Sequence, residues 1–200
     1  MKNIAVFASG NGSNFQAIAK AIKKGRIKAN LKLLVCDNPK AFVLERAKKL
    51  KLSTFLITPG EYPGRKEFED AIIKKLKSEK IDLIALAGFM RILGPDFVKE
   101  YRNKILNIHP ALLPSFKGAS AIKDAWDCGV KLSGVTVHFV DEKMDHGPII
   151  LQEIVRVGQR QTRKSLERKI HSLEHKIYPK ALKLFVEKRL HIAGRKVRIL

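Results

Sequence analysis

Cysteines, long apolar runs and acidic residues are all scarce in this 200-residue sequence. Its two cysteines, Cys36 and Cys128, are too few and too isolated for a disulfide framework or a zinc site, which predicts a reduced, cytoplasmic protein. No segment approaches the roughly 18 apolar residues that a membrane helix needs. Residues 1–7 lead directly into a predicted strand and a polar loop, so a signal peptide is not expected.

The sequence contains 19 Asp and Glu residues but 40 Lys and Arg residues, which gives a net charge of +21. Such a charge favours anionic partners, which include phosphorylated metabolites, polycarboxylates and nucleic acids. Many lysines, such as Lys23, Lys24, Lys74 and Lys75, fall on predicted helix faces, where lysine is normally solvated. The charge therefore indicates an anionic ligand without naming it.

Apolar strands alternate with amphipathic helices along the chain. Residues 4–8 form a continuous apolar run, and residues 31–36 and 81–87 are mostly apolar, which is typical of parallel strands buried on both faces. The alternation predicts right-handed βαβ units, and hence an α/β, Rossmann-like fold with a mostly parallel central sheet and flanking helices. Residues 135–140 and 149–157 are expected to add an antiparallel pair of strands.

The C-terminal part of the sequence predicts one long helix and a short terminal extension. Pro179 lies within the helical pattern and is expected to kink the helix or make it restart. Two short β-like runs flank Ala193 and Gly194, which indicates a hairpin. The domain organisation predicted is one domain at residues 1–190, with residues 191–200 as a hairpin extension of it.

A polar loop at residues 9–14 separates the first predicted strand from the first predicted helix. Such a turn offers free amides and the positive end of the helix dipole to an anion. Gly10 and Gly12 match the first two glycines of the dinucleotide-binding fingerprint, but Phe15 occupies the third position. The loop therefore fits a single phosphate better than a nicotinamide cofactor, and a tight turn without any ligand is the alternative.

A second candidate site lies where a short apolar strand, residues 105–108, ends before Pro110. Side chains alternate along a strand, so Asn107 and His109 are expected to emerge on one face at its carboxyl end. Open α/β sheets bind their ligands at this edge. An Asn-x-His pattern is common by chance, so a turn-capping asparagine beside a hydrogen-bonded histidine is the alternative.

Three segments carry a resemblance to a known family: ASGNGSNFQA at residues 8–17, AGFMRIL at 87–93 with NIHPALLPSFKG at 107–118, and VHFVDEKMDHGPIILQ at 137–152. In this order and spacing they resemble the folate-dependent phosphoribosylglycinamide formyltransferases of purine synthesis, over residues 1–190. The resemblance implies a formyltransferase fold and transfer of the formyl group of 10-formyltetrahydrofolate to the amine of glycinamide ribonucleotide. The folate would be a cosubstrate consumed at each turnover, and no metal is implied.

The same resemblance implies roles for individual residues. It gives Asn107, His109 and Asp145 as the catalytic group, and Gly12, Ser13, Asn14 and Glu174 as contacts of the ribonucleotide. The folate contacts that it implies are Arg65, Met90, Arg91, Ile92, Leu93, Asn107, Asp141, Glu142, Lys143, Met144 and Asp145. Ser120 departs from the family, which often has histidine near this place, so no role is assigned to it. His138 is expected to serve positioning or packing.

The chemistry of formyl transfer suits these side chains. Attack of an amine on a formamide carbon creates an oxyanion, which the Asn107 amide and a protonated His109 would stabilise by hydrogen bonding. Asp145 is expected to raise the pKa of His109 by favouring the imidazolium. Asp145 would also order the water that removes the proton of the attacking amine.

Three alternatives remain open at this point. Methionyl-tRNA formyltransferase shares the catalytic domain, but it carries a further C-terminal domain for which the residues after 190 leave no room. Formyltetrahydrofolate hydrolase uses the same three residues behind an additional N-terminal domain. A basic nucleic-acid-binding module would explain the charge, but no aromatic-rich stacking surface is apparent. The partners expected are small-molecule substrates, with no specific nucleic acid and no membrane, as a monomer or a homodimer.

Overall fold

The computed structural model describes residues 1–200, which form two compact units, Met1–Leu106 and Asn107–Leu200. No helix in either unit combines the length and apolar character needed to cross a membrane.

The first unit is a parallel sheet with helices in its crossover connections. Its strands are β1 (Lys2–Phe7), β2 (Ala29–Cys36), β3 (Ser53–Leu56) and β4 (Leu83–Leu86), in the spatial order β3-β2-β1-β4. Its helices are α1 (Ser13–Lys23), α2 (Val43–Lys49), α3 (Arg65–Ser78) and α4 (Pro95–Glu100), with a 3₁₀ turn at Pro59–Glu61. Each neighbouring pair of these strands is parallel, and β4 is buried along its whole length. The predicted parallel arrangement is therefore confirmed.

The second unit is a mixed sheet with two helices. Its strands are β5 (Ile105–His109), whose first two residues belong to the first unit, β6 (Leu132–Phe139), β7 (Ile149–Arg156), β8 (Leu190–Ala193) and β9 (Lys196–Ile199). The spatial order is β5-β6-β7-β9-β8, and the helices are α5 (Ala121–Asp127) and α6 (Arg163–Val186). Strands β6 and β7 pair antiparallel, which confirms the predicted antiparallel addition.

The terminal strands β8 and β9 form an antiparallel hairpin whose turn contains Gly194 and Arg195. Strand β9 lies parallel to the start of β7, where Ile149 pairs with Lys196. The hairpin turn is thereby brought next to the loop that precedes β7.

Helix α6 runs unbroken from Arg163 to Val186 with Pro179 inside it, so the predicted restart does not occur. Proline removes one backbone hydrogen bond from a helix interior and costs about 3 kcal/mol. A buried stripe that includes Leu166, Ile170, Ile177 and Leu182 runs on both sides of Pro179. Burial of each such side chain contributes about 1.5–3 kcal/mol, which together exceeds the cost of the proline.

Candidate active site

The carboxyl end of β5 presents Asn107 and His109 on one face, as strand alternation predicts, and Asp145 lies against both. Asp145 Oδ2 is 3.4 Å from His109 Nδ1, while Asp145 Oδ1 accepts a long hydrogen bond of 3.4 Å from Asn107 Nδ2. The backbone N–H of Gly118 donates to Asp145 Oδ2 at 2.8 Å. The three side chains that the sequence groups by resemblance therefore form one contiguous cluster within the second unit.

Asp145 reaches this cluster because of the shape of the loop between β6 and β7. Its own backbone is in the left-handed region, with φ of 46°, which turns the chain sharply just before His146. The base of the loop is closed by Phe139 N–H donating to Pro148 O at 2.9 Å. Gly147 packs so closely on the Phe139 carbonyl that a Cβ at residue 147 would overlap it. The loop is thus held at its base and projects Asp145 inward.

The Asp145 carboxyl is ionised at neutral pH. Burial raises its pKa, but His138, the Gly118 N–H and His109 favour the carboxylate and bring the pKa down to about 2. A pKa that low keeps a full negative charge beside His109 across the range in which enzymes normally work.

His109 is buried, with 4% of its surface exposed, and its ring is oriented from both sides. Because a carbonyl only accepts, His109 Nε2 donates to Phe116 O at 2.7 Å, which leaves Nδ1 as the nitrogen facing Asp145. Burial lowers the pKa of His109 below its ordinary value, although Asp145, the Phe116 carbonyl and Glu174 act in the opposite direction. Asp145 therefore acts on the pKa of His109 in the expected direction, but desolvation of the imidazolium outweighs this attraction and the net pKa is lowered.

His138 orients the side-chain amide of Asn107. Its Nδ1 donates to Phe139 O at 2.7 Å, so its Nε2 is free to accept from Asn107 Nδ2, 3.2 Å away. The Asn107 amide nitrogen consequently faces His138 and Asp145, and this orientation is the one that avoids placing the amide oxygen against a carboxylate.

A buried polar network, absent from the sequence prediction, supports the segment that follows His109. Thr136 is fully buried on β6, donates to Ala111 O at 2.7 Å and accepts from Leu113 N–H at 3.1 Å. Gln152 Nε2 donates to Thr136 Oγ1 at 3.0 Å and to Leu113 O at 2.9 Å. These bonds fix the backbone leading to Phe116 and Gly118, the residues that hold His109 and Asp145. The alternating pattern of β6 places Thr136 on a buried strand but gives no sign of its partners.

The candidate phosphate loop lies in the first unit, at the start of α1. Gly12 caps the helix with φ of 75°, and a Cβ there would overlap Val43. Ser13 and Asn14 form the first turn of α1, which carries no acidic residue. Arg46 braces the loop from α2 by donating to Asn11 O at 2.8 Å and to Asn11 Oδ1 at 3.0 Å. The loop is therefore braced by α2, and it places the amides of the first turn of α1 where an anion could bind.

The segment after β4, which carries four of the residues predicted to contact folate, also lies in the first unit. Met90 and Ile92 are exposed, whereas Leu93 is buried. Arg65 Nη2 donates to Ile92 O at 2.6 Å while its Nε pairs with Glu69, and Arg91 pairs with Asp37 at 2.7 Å. Arg65 and Arg91 therefore shape this segment through protein contacts, and the exposed apolar surface comes from Met90 and Ile92.

The remaining predicted residues occupy two places in the second unit. Asp141, Glu142, Lys143 and Met144 lie in the same loop as Asp145, with Met144 exposed. Glu174 is buried on α6 and accepts from His171 Nδ1 at 2.9 Å. Ser120 immediately precedes α5. No group of three or more His, Cys, Asp or Glu side chains is arranged to hold a metal ion.

Comparison with known proteins shows which family the chain belongs to. Residues 2–182 match the formyl transferase family model. The chain is 48% identical over 183 residues to phosphoribosylglycinamide formyltransferase of Bacillus subtilis (strain 168), covering 92% of this chain and 94% of that protein. It is 44% identical to the trifunctional purine biosynthetic protein adenosine-3 of Chironomus tentans, covering 92% of this chain but 14% of that longer protein.

A solved structure extends the likeness to the whole fold. Glycinamide ribonucleotide transformylase 1 of Symbiobacterium toebii superposes with a TM-score of 0.97 at 44% identity, covering 100% of this chain and 94% of that one. The mixed α/β architecture, with its mostly parallel sheet and flanking helices, is shared with that structure. The chain belongs to the formyl transferase family.

Proposed function

We propose that this formyltransferase transfers the formyl group of 10-formyltetrahydrofolate to the amine of glycinamide ribonucleotide, with Asn107, His109 and Asp145 as its catalytic group. The products are formylglycinamide ribonucleotide and tetrahydrofolate, in de novo purine biosynthesis toward IMP. The observation that supports the proposal best is the contact of Asp145 with both Asn107 and His109. Relatives that cover most of this chain carry the names of this activity.

Asn107 stabilises the oxyanion that forms when the amine attacks the formyl carbon. Its amide nitrogen has two hydrogens, directed to His138 Nε2 at 3.2 Å and Asp145 Oδ1 at 3.4 Å. A separation of 3.4 Å is long for an N–H···O bond, so the hydrogen directed to Asp145 is held weakly. That hydrogen is the one available to turn to the oxyanion, and donation to developing charge in a buried site lowers the barrier by several kcal/mol.

His109 carries the proton from the attacking amine to the departing folate nitrogen. Its lowered pKa makes the imidazole mostly neutral at pH 7, with Nδ1 as the basic nitrogen because Nε2 donates to Phe116 O. His109 therefore acts first as a general base rather than as a charged donor. Once protonated, Nδ1 faces the Asp145 carboxylate 3.4 Å away, which stabilises the imidazolium until it gives the proton to the leaving nitrogen.

The ribonucleotide phosphate binds at Gly12, Ser13 and Asn14, where backbone amides and the helix dipole favour an anion. Glu174 contacts the glycinamide ribonucleotide, and its negative charge also acts on the pKa of His109. The folate binds against Met90–Leu93 and the loop at residues 141–145, with the exposed Met90, Ile92 and Met144 supplying apolar surface. Arg65 supports this surface by holding the Ile92 carbonyl.

The partners in this proposal are small anions rather than nucleic acid, and the site of action is the cytoplasm. Both cysteines are free thiols, as is usual for intracellular proteins. The net charge of +21 would steer anionic substrates toward the protein, and that gain would fall as salt is added.

Product identification separates this function from its alternatives. The protein is incubated with 10-formyltetrahydrofolate and, in parallel, with glycinamide ribonucleotide, with methionyl-tRNA or with no acceptor, and the products are resolved by mass spectrometry. The proposal predicts formylglycinamide ribonucleotide in the first reaction alone. Formylmethionyl-tRNA would support the tRNA-directed alternative, and acceptor-independent formate would support a hydrolase. Filter binding of tRNA at physiological salt is expected to be weak and without sequence preference.

A further inference from the structure

We propose that Arg195, in the turn of the C-terminal β8–β9 hairpin, is a positioning residue that holds the loop carrying Asp145. The inference rests on the proposed function, because it concerns the catalytic loop of that reaction. The sequence motifs do not include Arg195, which lies 50 residues beyond Asp145 along the chain.

Arg195 contacts both the side chain and the backbone of His146, the residue that follows Asp145. Its Nη2 donates to the backbone carbonyl of His146 at 2.9 Å, and its Nη1 lies 2.6 Å from His146 Nε2. His146 Nδ1 donates to Asp141 Oδ2 at 2.7 Å. Arg195 Nη1 lies 3.1 Å from the same Nδ1 as well as close to Nε2, so the guanidinium packs against the imidazole ring. A guanidinium suits this double contact, since its planar fork presents several donors at fixed angles.

Asp141 extends these contacts to the start of the loop. Its Oδ2 accepts from His146, while its Oδ1 accepts from the backbone N–H of Lys143 at 3.1 Å. We call this chain of contacts, from Arg195 through His146 to Asp141, the loop clamp. It connects His146, which follows Asp145, to Asp141 at the start of the loop. None of these contacts lies in a β-ladder, so side chains alone maintain them.

The loop clamp matters because Asp145 sits in a conformation that few residues adopt. Its φ of 46° lies in the left-handed region, which non-glycine residues seldom adopt, although Asp and Asn do so more readily than the others. The backbone carbonyl held by Arg195 belongs to the next residue, so release of that carbonyl gives residues 145 and 146 freedom to relax. Pairing of β9 with β7 at Ile149 and Lys196 fixes the hairpin that carries Arg195. The hairpin therefore acts as a rigid anchor for the catalytic carboxylate.

The test compares Arg195→Ala with Arg198→Ala, which removes the same charge from β9 of the same hairpin. Hydrogen–deuterium exchange of residues 141–147 reads the loop directly, without any need for activity. We expect faster exchange of this loop in R195A and no change in R198A. Steady-state kinetics then follow the consequence: kcat for formyl transfer falls about 10-fold in R195A, within the loss that a misplacement of 1 Å can cause. The KM for glycinamide ribonucleotide stays unchanged.

A second variant approaches the contact from the other side. His146→Ala removes the ring contacts with Arg195 and Asp141 but keeps the backbone carbonyl, so its kcat is expected to fall less than that of R195A. The R195A/H146A double variant should be little slower than R195A, because both substitutions break one chain of contacts.

Distinct outcomes separate the loop clamp from the proposed function. Unchanged exchange in R195A, an equal loss of kcat in R198A, or faster exchange with an unaltered kcat would each overturn the positioning role of Arg195. Faster exchange in R195A, together with a wild-type protein that transfers no formyl group to glycinamide ribonucleotide, would leave the clamp standing and overturn the proposed function.

Discussion

Asp145 Oδ2 lies 3.4 Å from His109 Nδ1, the ring nitrogen that is left without a proton when neutral His109 donates through Nε2 to Phe116 O. The carboxylate therefore faces the one nitrogen of His109 that can take up a proton. The ion pair between protonated His109 and Asp145 would form in the intermediate and be absent in the resting protein. It would therefore stabilise the protonated intermediate without stabilising the resting protein.

His109→Ala and Asp145→Ala are each expected to lower kcat by about 10²–10⁴-fold, the usual contribution of a general acid–base group. Because the two side chains act on one proton, the double variant should be little worse than the more damaging single variant. Single-turnover kinetics give the chemical step, and circular dichroism checks that each variant is folded. A fold loss of kcat in the double variant equal to the product of the two single losses would show that the two residues act independently.

The pKa of His109 is expected to lie below the ordinary histidine value of 6.5, because burial opposes the charged ring. Asp145→Asn should lower this pKa further, since the carboxylate acts to raise it. NMR titration of the His109 ring measures both pKa values. His171, whose pKa is raised above 6.5 by its hydrogen bond to Glu174, serves as an internal reference. A His109 pKa above 6.5, or an upward shift in D145N, would contradict the assignment of His109 as the initial base.

The same pKa has a consequence for stability. The unfolded chain binds a proton at His109 near pH 6.5, whereas the folded chain binds it at lower pH. The contribution of neutral His109 to the free energy of unfolding is therefore complete above pH 6.5, and it is lost as the pH falls from 6.5 toward the folded pKa. Asp145 contributes in the same sense at lower pH, between its unfolded value of 3.8 and its folded value of about 2.

Gly12→Ala is expected to raise the KM for glycinamide ribonucleotide about 5- to 30-fold, since a left-handed backbone costs a side-chain-bearing residue about 1–2 kcal/mol. The added Cβ would also meet Val43. Gly10→Ala is the control in the same loop, because a Cβ at residue 10 meets nothing within 4 Å. A structure determined with inorganic phosphate should show the anion at residues 12–14. An anion bound elsewhere, with this loop empty, would count against the phosphate assignment.

Thr136→Val should destabilise the protein by about 1–3 kcal/mol, because it leaves the buried Leu113 N–H and Ala111 carbonyl without their hydroxyl partner. Ser133→Ala is the matched control on β6: Ser133 is equally buried, but its hydroxyl has no hydrogen-bond partner. Denaturant unfolding of S133A is expected to show no loss of stability relative to the wild type, because a buried hydroxyl without a partner costs free energy. T136V should also lose kcat as the backbone near Phe116 shifts. Equal stability of the two variants would refute a supporting role for the Thr136 network.

Local patterns in the sequence were sufficient for the parallel sheet and for the placement of Asn107 and His109. Continuous apolar runs identify buried strands such as β1 and β4, and strand alternation puts residues two apart on one face. The left-handed turn at Gly12 is also readable, because glycine before a helix favours that geometry.

Features that depend on contacts distant in sequence could not be predicted in this way. Asp145 meets His109 because a non-glycine residue adopts a positive φ, which no local pattern signals. The net pKa of His109 is set by burial against several opposing charges, so naming Asp145 as a neighbour was not enough to give its direction. Arg195 and His146 meet because β9 pairs with β7, and short terminal strands give only a weak signal.

This formyltransferase is expected to require glycinamide ribonucleotide as its acceptor. The most direct measurement is the initial rate of the absorbance change that accompanies deformylation of 10-formyltetrahydrofolate, recorded with and without glycinamide ribonucleotide. The rate is expected to depend on the ribonucleotide, with one tetrahydrofolate formed for each formylglycinamide ribonucleotide, and to be near zero in its absence. An equal rate with and without glycinamide ribonucleotide would contradict this expectation and identify the protein as a hydrolase of formyl folate.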